Sequence, residues 1–289
     1  MRRARRLIAA LALVAVASVA LAACGDDDDT SAASTAATTA TACERSDLDL
    51  VADDTLTIGT DSPAFPPYFV DDDPTNGEGF ESAVAYAIAA GLGFAPDEVT
   101  WAVVPFNSSY APGPKDFDFD INQISITPER AGQVDFSEPY YTTPQAVLVA
   151  AGSDYAGATS VAELKDAKIG VQVGTTSLDA VTSVIGPSSE PQVFNDSNDT
   201  VRALKNGQVD AIVTDLPTAI YLRDVEIEGS EVVGQFSAPG GDDWGVVLAK
   251  DSALTPCVSS AVSALRESGE LAAITEQWIG AEAPELDLE

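Results

Sequence analysis

Four polar segments follow strand-like apolar runs, and each carries a side chain suited to a charged or aromatic contact. In open α/β sheets, ligands bind in loops beyond the carboxyl ends of the strands, so these segments are expected to converge. An arginine and a hydroxyl-rich helix start suit a carboxylate, and a separate aspartate suits an ammonium group. The set therefore predicts a site for a small zwitterion. Its members are an aromatic residue in the segment 61–68, Arg130 in 125–130, the hydroxyl-rich helix start at 174–177, and Asp215.

The elements that must position these residues alternate along the chain from residue 54 onward. Short apolar runs predict strands at 55–59, 99–104, 120–126, 145–151, 168–171 and 211–213. Apolar residues at helical spacing, or segments between the strands, predict helices at 80–92, 177–185, 197–206, 218–223, 255–268 and 270–278. This alternation predicts an α/β fold with helices on both faces of the sheet.

Composition excludes several kinds of chemistry. The chain has no histidine, which removes Ser-His-Asp and Cys-His nucleophilic sites and the usual His-based zinc sites. Neither a metal nor another cofactor is expected. Of the 14 basic residues, four lie in the first six positions, and without them the charge against 46 acidic residues is −36. Such a surface repels nucleic acid, and solubility or salt tolerance explains it without a cationic ligand.

The first 24 residues predict export and a lipid anchor. Four arginines precede an apolar run over 7–23 that ends in Leu-Ala-Ala before Cys24. This is typical of a signal peptide, residues 1–23, and it resembles the bacterial lipobox, whose cysteine is lipid-modified. The alternative is an ordinary signal peptide with a chance cysteine. Residues 24–53 are predicted to form a disordered tether to the extracytoplasmic face of the cell membrane.

Two further cysteines, Cys43 and Cys257, remain once Cys24 is assigned to lipid. An exported protein meets an oxidising environment, so these two are expected to form a disulfide, and two separate thiols are the alternative. For a closed loop of about 200 residues, the chain-entropy model gives a stabilisation of at most roughly 5 kcal/mol.

A longer pattern covers most of residues 55–280. Residues 125–130 read Ser-Ile-Thr-Pro-Glu-Arg, and 134–141 read Val-Asp-Phe-Ser-Glu-Pro-Tyr-Tyr. Gly-Phe-Glu at 79–81, Gly-Val-Gln-Val-Gly-Thr-Thr at 170–176 and Asn-Gly-Gln-Val-Asp-Ala at 206–211 agree in order and spacing. These motifs resemble the extracytoplasmic solute-binding proteins of ABC transporters, in particular the polar amino-acid-binding family (bacterial solute-binding protein family 3).

The resemblance implies an α/β, two-lobe, periplasmic-binding-protein-like (type II) clamshell with two hinge strands. Lobe one would comprise 54–146 together with 249–280, and 147–248 would hold the hinge strands and lobe two. Residues 249–289 would return to lobe one and end in a tail. The crossings are expected at 145–151 and 244–249. A ligand between the lobes would favour the closed form because it binds that form better.

The resemblance also implies roles for single residues. Arg130 would bind the ligand α-carboxylate through its guanidinium fork, or form a structural ion pair. Asp215 would receive the α-ammonium, or cap the following helix. Phe65 would cover the ligand, or belong to the core, and Thr176 would donate to the carboxylate, or serve as an N-cap. Further ligand contacts are expected from Ser125, Thr175, Phe106, Gln123 and Trp244, and no catalytic residue is expected.

Two segments depart from the family pattern. The first loop is one residue longer, since Phe65 lies four positions after Asp61, and this leaves the role of Asp61 open. Residues 106–117 replace the usual helix with a stretch rich in Pro and Gly, and helix propensity argues against a full helix across 112–114. Side-chain selectivity is therefore expected to differ from the usual family form.

The expected function is that of a lipid-anchored, monomeric receptor that captures a small amino acid and delivers it to the permease and ATPase of an ABC importer. A binding module that feeds a sensor is one alternative. An enzyme resembling cyclohexadienyl dehydratases is another, and it would need a carboxylate as general acid, for which Glu78, Glu81 or Asp215 could serve. Which amino acid is bound stays open.

Overall fold

The computed structural model describes residues 43–238 and 242–289. The predicted signal peptide at 1–23, the predicted lipid-modified Cys24 and the tether as far as residue 42 lie outside the described residues. Within the two described ranges, no helix is both long enough and apolar enough to cross a membrane.

Twelve strands and eight α-helices form in the described part of the chain, in an order close to the predicted one. The strands are β1 Leu56–Thr60, β2 Val99–Val103, β3 Phe119–Asp120, β4 Asp135–Phe136, β5 Tyr141–Thr142, β6 Gln145–Val149, β7 Ile169–Gln172, β8 Gln192–Phe194, β9 Ala211–Asp215, β10 Glu231–Phe236, β11 Asp243–Trp244 and β12 Val247–Leu248. The helices are α1 Phe80–Gly91, α2 Phe106–Ser109, α3 Pro128–Ala131, α4 Thr176–Ala180, α5 Ser197–Lys205, α6 Leu216–Tyr221, α7 Thr255–Ser268 and α8 Glu270–Ile279. π-helical turns over Val181–Ile185 and Leu222–Glu226 extend α4 and α6.

The strands form two five-stranded sheets, in agreement with the predicted two-lobe clamshell. The first sheet has the order β2-β1-β3-β12-β4, in which β1 runs parallel to β2 and β3 while β12 is antiparallel to its neighbours. Helices α1, α7 and α8 pack together in the core of this lobe. The second sheet has the order β10-β6-β9-β7-β8. Each lobe therefore has a sheet and a core of its own.

Strand β6 shows why the run that follows Gln145 is apolar throughout. Val147 and Val149 lie in the core on one face of the second sheet, and Ala146 and Leu148 lie in the core on the other face. Successive side chains of a strand point to opposite faces, so a strand covered on both sides needs apolar residues at every position. The predicted buried strand is confirmed at this place.

The chain passes between the lobes slightly before the positions predicted at 145–151 and 244–249. The two-stranded antiparallel sheet of β5 and β11 pairs Thr142 with Asp243 and Tyr141 with Trp244. It precedes β6, which is already an inner strand of the second sheet, and β12, which belongs to the first. An apolar run needs burial on both faces, and a sheet interior provides that burial better than a two-stranded crossing.

Residues 43–53, predicted as the end of the disordered tether, instead contact the first lobe. Cys43 forms the predicted disulfide with Cys257, which lies on α7. The Arg45 guanidinium lies 2.7 Å from the Glu98 carboxylate. The ordered chain thus begins earlier than composition indicates, because a disulfide and an ion pair hold its start to the core.

The C-terminal tail leaves α8 in the first lobe and ends against the second sheet. Gln235 on β10 donates its N–H to the Pro284 carbonyl and accepts a bond from the Leu286 N–H, both at 2.8 Å. On the other side of the tail, Asp287 makes backbone hydrogen bonds to the segment 159–161. The tail is therefore a further connection between the lobes, in addition to β5 and β11.

Leu286 anchors the tail, since it is 5% exposed and occupies the space above Gly234, where a Cβ would lie 2.6 Å from its Cγ. We expect Leu286→Ala to lower the free energy of unfolding by about 2–3 kcal/mol, because truncation of a buried leucine removes contacts and leaves a cavity. Leu288, 55% exposed, is the matched control, and its alanine variant should change that energy by less than about 0.5 kcal/mol. Urea unfolding measures both, and equal effects would contradict an anchored tail.

Asp120 is a fully buried carboxyl on β3 with no hydrogen-bond partner in the described chain. It fits because its neighbour on β1 is Gly59, where a Cβ would lie 2.6 Å from Asp120 Oδ2. Burial raises the pKa of Asp120 well above its ordinary value, and the carboxylates of Glu81 and Asp61 raise it further. The neutral acid is favoured here, since burying an ionised carboxylate costs much more.

The raised pKa of Asp120 makes stability depend on pH. The stabilisation that comes from the preference for neutral Asp120 is complete below the pKa of this carboxyl in the unfolded chain. It is lost as the pH rises toward the pKa of Asp120 in the folded protein. We expect Asp120→Asn, which cannot ionise, to raise the melting temperature at pH 7 by about 3 °C or more and to raise it less at pH 4. Calorimetry of this variant and of exposed Asp97→Asn, which should show no such difference, tests the expectation. An equal gain at both pH values would contradict it.

Candidate functional site

A cavity of about 390 Å³ lies between loops of the two lobes. Its wall brings together eight of the nine residues predicted to contact a ligand. Phe65, Phe106, Gln123, Ser125 and Arg130 come from the first lobe, and Thr175, Thr176 and Asp215 come from the second. Asp61, whose role the sequence left open, lines the same wall.

Arg130 lies on the one-turn helix α3, which Thr127 caps through its side-chain oxygen. The residue is 7% exposed, and this burial lowers the pKa of its guanidinium. Nη1 donates to the Ser125 carbonyl at 2.7 Å, and Nη2 donates across the cavity to the Gly174 carbonyl at 2.8 Å. The alternative role for Arg130 was a structural ion pair, and within the described residues it forms none. Three of its five N–H donors remain for a ligand.

Two aromatic rings flank the Arg130 guanidinium, at 4.4 Å for Tyr110 and 5.6 Å for Phe106, measured to the ring centroids. Phe106 begins the single helical turn α2, after which the chain is irregular across the Pro/Gly-rich stretch, as helix propensity predicted. Tyr110 was not predicted as a site residue. It lies in this irregular stretch, where no periodicity indicates which side chains face the cavity.

Asp215 ends β9 and precedes α6, yet its side chain does not cap that helix. Its Oδ1 accepts a hydrogen bond from Gln145 Nε2 at 2.7 Å. Burial, with a smaller contribution from the Asp242 carboxylate, raises the pKa of Asp215 to about 7. Within the described residues it forms no ion pair. Gln145 was not predicted either, although a polar residue at the start of an apolar strand is a sequence signal for such a role.

Three hydroxyl groups lie near the Arg130 side of the cavity. Thr175 is the N-cap of α4, since its Oγ1 accepts from the Leu178 N–H at 3.3 Å. Thr176 is therefore not the N-cap, and its Oγ1 lies 3.3 Å from Ser125 Oγ in the opposite lobe. The Thr175 O–H already donates to the Gln172 carbonyl at 2.9 Å, so only the Ser125 and Thr176 hydroxyls lie between the lobes as possible donors to an oxygen-bearing group.

Phe65 and Trp244 have different surroundings. Phe65 lines the cavity and packs edge-to-face on Tyr221 of the second lobe, with ring centroids 5.8 Å apart. Trp244, predicted as a ligand contact, is 0% exposed and does not line the cavity. Its ring packs against Tyr68 and Tyr141 in the first-lobe core, because its position on β11 directs it inward.

Gln123 has an unusual backbone and a buried partner. Its φ is +49°, in the left-handed region that favours glycine, and it lines the cavity. Its backbone N–H donates to Glu81 Oε1 at 2.7 Å, and its Nε2 donates to Glu81 Oε2. Glu81 also accepts from the Tyr140 hydroxyl, and burial raises the pKa of Glu81 to about 7.

The arrangement suits binding of a small polar molecule more than it suits metal chemistry. Among the described residues, no group of three or more Cys, Asp or Glu side chains is placed to hold a metal ion. The two lobes also touch beside the cavity, where the Tyr68 hydroxyl lies 2.8 Å from Thr218 Oγ1. A ligand in the cavity would be enclosed by groups from both lobes.

Comparison with known proteins identifies the family. Residues 56–281 match the family model of the bacterial extracellular solute-binding proteins, family 3. The L-cystine-binding protein TcyJ of Escherichia coli (strain K12) is 29% identical over 231 residues, which cover 79% of this chain and 84% of that protein. The structure of an ancestral arginine-binding protein bound to glutamine has a TM-score of 0.67 at 32% identity, covering 80% of this chain and 100% of that chain. The ancestral amino acid-binding protein AncCDT-1, a precursor of cyclohexadienyl dehydratase, has a TM-score of 0.65 at 29% identity, covering 78% and 95%.

The family match extends over most of the chain and includes both lobes. The relatives described above are named as binding proteins, and the one associated with a dehydratase is itself named as an amino acid-binding precursor. The protein therefore belongs to family 3 of the bacterial extracellular solute-binding proteins and is a binding protein, not an enzyme.

Proposed function

We propose that the protein binds a small amino acid in this cavity, with the α-carboxylate on Arg130 and the α-ammonium on Asp215. One observation carries the proposal: the buried Arg130 guanidinium and the partly buried Asp215 carboxylate line the same cavity, and neither forms an ion pair within the described residues. A buried charge without a partner is costly, so a ligand that supplies both opposite charges gains from both contacts. Named relatives that bind cystine or arginine agree with such a ligand.

The remaining cavity residues complete the proposed site. The hydroxyls of Ser125 and Thr176 would hydrogen-bond the α-carboxylate beside Arg130, while Thr175, whose O–H donates to the Gln172 carbonyl, would hold the start of α4 in place. Phe65 would cover the apolar part of the ligand, and its packing on Tyr221 of the other lobe depends on closure. We assign the crossings between the lobes to β5 and β11, close to the boundaries at 146 and 248 that the family resemblance implies.

The wider role follows from the predicted start of the chain and from the family. We assign the protein to the extracytoplasmic face of the cell membrane, anchored by lipid at Cys24, where it would act as a monomer. It would deliver the amino acid to the permease and ATPase of an ABC importer. The disulfide between Cys43 and Cys257 supports an oxidising compartment.

Loss of the Arg130 guanidinium should abolish most binding. In calorimetric titrations with an amino acid identified by a thermal-shift screen of the twenty, Arg130→Ala should weaken affinity by about 100-fold or more, because one partner of a buried charged pair is removed. Arg130→Lys keeps the charge but loses the fork, and it should also bind more weakly.

The matched control for this variant is Arg202, an exposed arginine on α5 that pairs with Asp199. Arg202→Ala should leave affinity unchanged. Circular dichroism establishes that each variant is folded. Unchanged binding by folded Arg130→Ala would overturn the proposed site, as would failure of all twenty amino acids to shift the melting temperature of the protein.

Binding should weaken below neutral pH. Asp215 has a pKa of about 7 in the unliganded protein, and a ligand ammonium favours its ionised form. Below pH 7 a proton must leave Asp215 on binding, so affinity should fall by up to about tenfold for each pH unit. Titrations between pH 5 and 8, in buffers of different ionisation enthalpy, count the proton released.

Asp215→Asn separates this effect from the titration of Glu81, whose pKa is also about 7. The variant should bind the amino acid more weakly at every pH, and it should release fewer protons on binding than the wild-type protein does. Should Asp215→Asn retain both the wild-type affinity and the wild-type pH dependence, Asp215 would not be the ammonium partner.

A further inference from the structure

We propose that Glu81, by holding the amide of Gln123 in one orientation, makes the cavity select amino acids whose side chains end in N–H donors. The inference rests on the proposed function and names its substrate class. It makes Glu81 a positioning residue, since it acts on the ligand through Gln123.

Gln123 is attached to Glu81 at two points. Its backbone N–H bonds Glu81 Oε1 at 2.7 Å, and its side-chain Nε2 bonds Glu81 Oε2. A backbone N–H is always a donor, so a lone pair of the carboxylate must face it. Above pH 7, where Glu81 is mostly ionised, its second oxygen is also an acceptor, and it therefore requires the NH₂ end of the Gln123 amide.

This attachment leaves Gln123 Oε1 as the free end of the amide. Within the described residues, that oxygen accepts no hydrogen bond, and Gln123 lines the cavity. An unrestrained glutamine can turn either its oxygen or its nitrogen to a ligand. One of the two N–H groups of its NH₂ is committed to Glu81, so the amide offers its oxygen as an acceptor, with one N–H left.

Glu81 is itself well fixed. It lies in the first turn of α1, is 0% exposed, and also accepts a hydrogen bond from the Tyr140 hydroxyl. The Tyr140 ring packs against Phe80 and Trp244 in the first-lobe core. Three donors thus converge on one buried carboxylate, which leaves it no freedom to release Gln123 at low cost.

The neighbouring wall adds a second acceptor. Asp61 lines the cavity, and its carboxylate oxygens accept the N–H groups of Ser62 at 2.7 Å and Phe106 at 3.1 Å. These bonds leave acceptor lone pairs and no donor. Asn122 also lines the cavity with an Nδ2 that has no partner among the described residues, but it carries no charge to offset that of Asp61.

A ligand side chain that ends in a guanidinium, ammonium or other N–H group would bond these acceptors. A side-chain carboxylate would face lone pairs and the negative charge of Asp61. Sites built to hydrogen-bond one kind of group discriminate strongly against ligands that leave those bonds unmade, because buried polar groups are then unpaired. Arg130 does not offset this, since the proposed function commits it to the α-carboxylate.

The test compares L-arginine and L-glutamate, which share the zwitterionic group and differ in the chemistry of the side-chain end. Calorimetric titration of the wild-type protein should show L-arginine binding at least about 100-fold more tightly. In Glu81→Gln the new amide can place its NH₂ toward Gln123, which would then turn its own NH₂ to the cavity. We expect the affinity for L-arginine to fall and that for L-glutamate to rise, so that the ratio of the two affinities falls about tenfold or more.

A gain in L-glutamate affinity is the decisive readout, because simple damage to the fold would weaken both ligands. Gln123→Gly is the second variant, and it suits the left-handed backbone and so should fold. This variant should have a lower affinity for L-arginine and no higher affinity for L-glutamate. Glu267→Gln, an exposed site on α7, makes the same change in net charge and should leave the ratio unchanged.

The outcomes separate the two proposals. A wild-type protein that binds some amino acids but does not prefer L-arginine to L-glutamate would overturn the selectivity and leave the proposed function standing. The same holds for a Glu81→Gln variant whose ratio is unchanged. A wild-type protein that binds none of the twenty amino acids would overturn both.

Discussion

Arg130 and Asp215 are held in one cavity by neutral hydrogen-bond partners. Backbone carbonyls of Ser125 and Gly174 receive the guanidinium, and the Gln145 amide donates to the carboxylate. Such partners orient a charge without neutralising it, so burial lowers the pKa of the arginine and raises that of the aspartate. In the proposed site the two groups would complement a zwitterion, and the surrounding structure holds them without an ion pair between them.

Side chains without a predicted role keep this site in place. Gln145 orients Asp215, and Glu81 orients Gln123 from the base of α1. Gln145 and Glu81 are both 0% exposed. A group that is already ordered before binding loses little conformational freedom when the ligand arrives, which improves affinity and sharpens selectivity.

The connections between the lobes allow such a site to open and close. The pair β5 and β11 joins the two sheets, and the tail from Pro284 to Glu289 adds a contact that the family pattern did not indicate. In the first lobe, the disulfide of Cys43 ties the start of the folded chain to α7. Across the cavity, Arg130 reaches Gly174 and Ser125 reaches Thr176. A ligand shifts the balance between open and closed forms only by the contacts it makes in one and not the other.

Much of this protein could be predicted from local sequence. Helix α7 has the predicted bounds because apolar spacing defines it and Gly269, with a φ of +81°, ends it. Strand β6 was predicted from its apolar run, and strand-end loops indicated four segments of the cavity wall, whereas the individual cavity residues were implied by the family resemblance. Other features depend on contacts between residues far apart in the chain: the strand predicted at 120–126 stops at Asp120, Trp244 turns into the core, and Leu286 fills the space above Gly234. The sequence by itself determined which residue types follow which strands, because periodicity and turn chemistry are local. Only the tertiary structure decided which charges lie unpaired in one cavity and which way the Gln123 amide points, because both depend on packing across the whole chain.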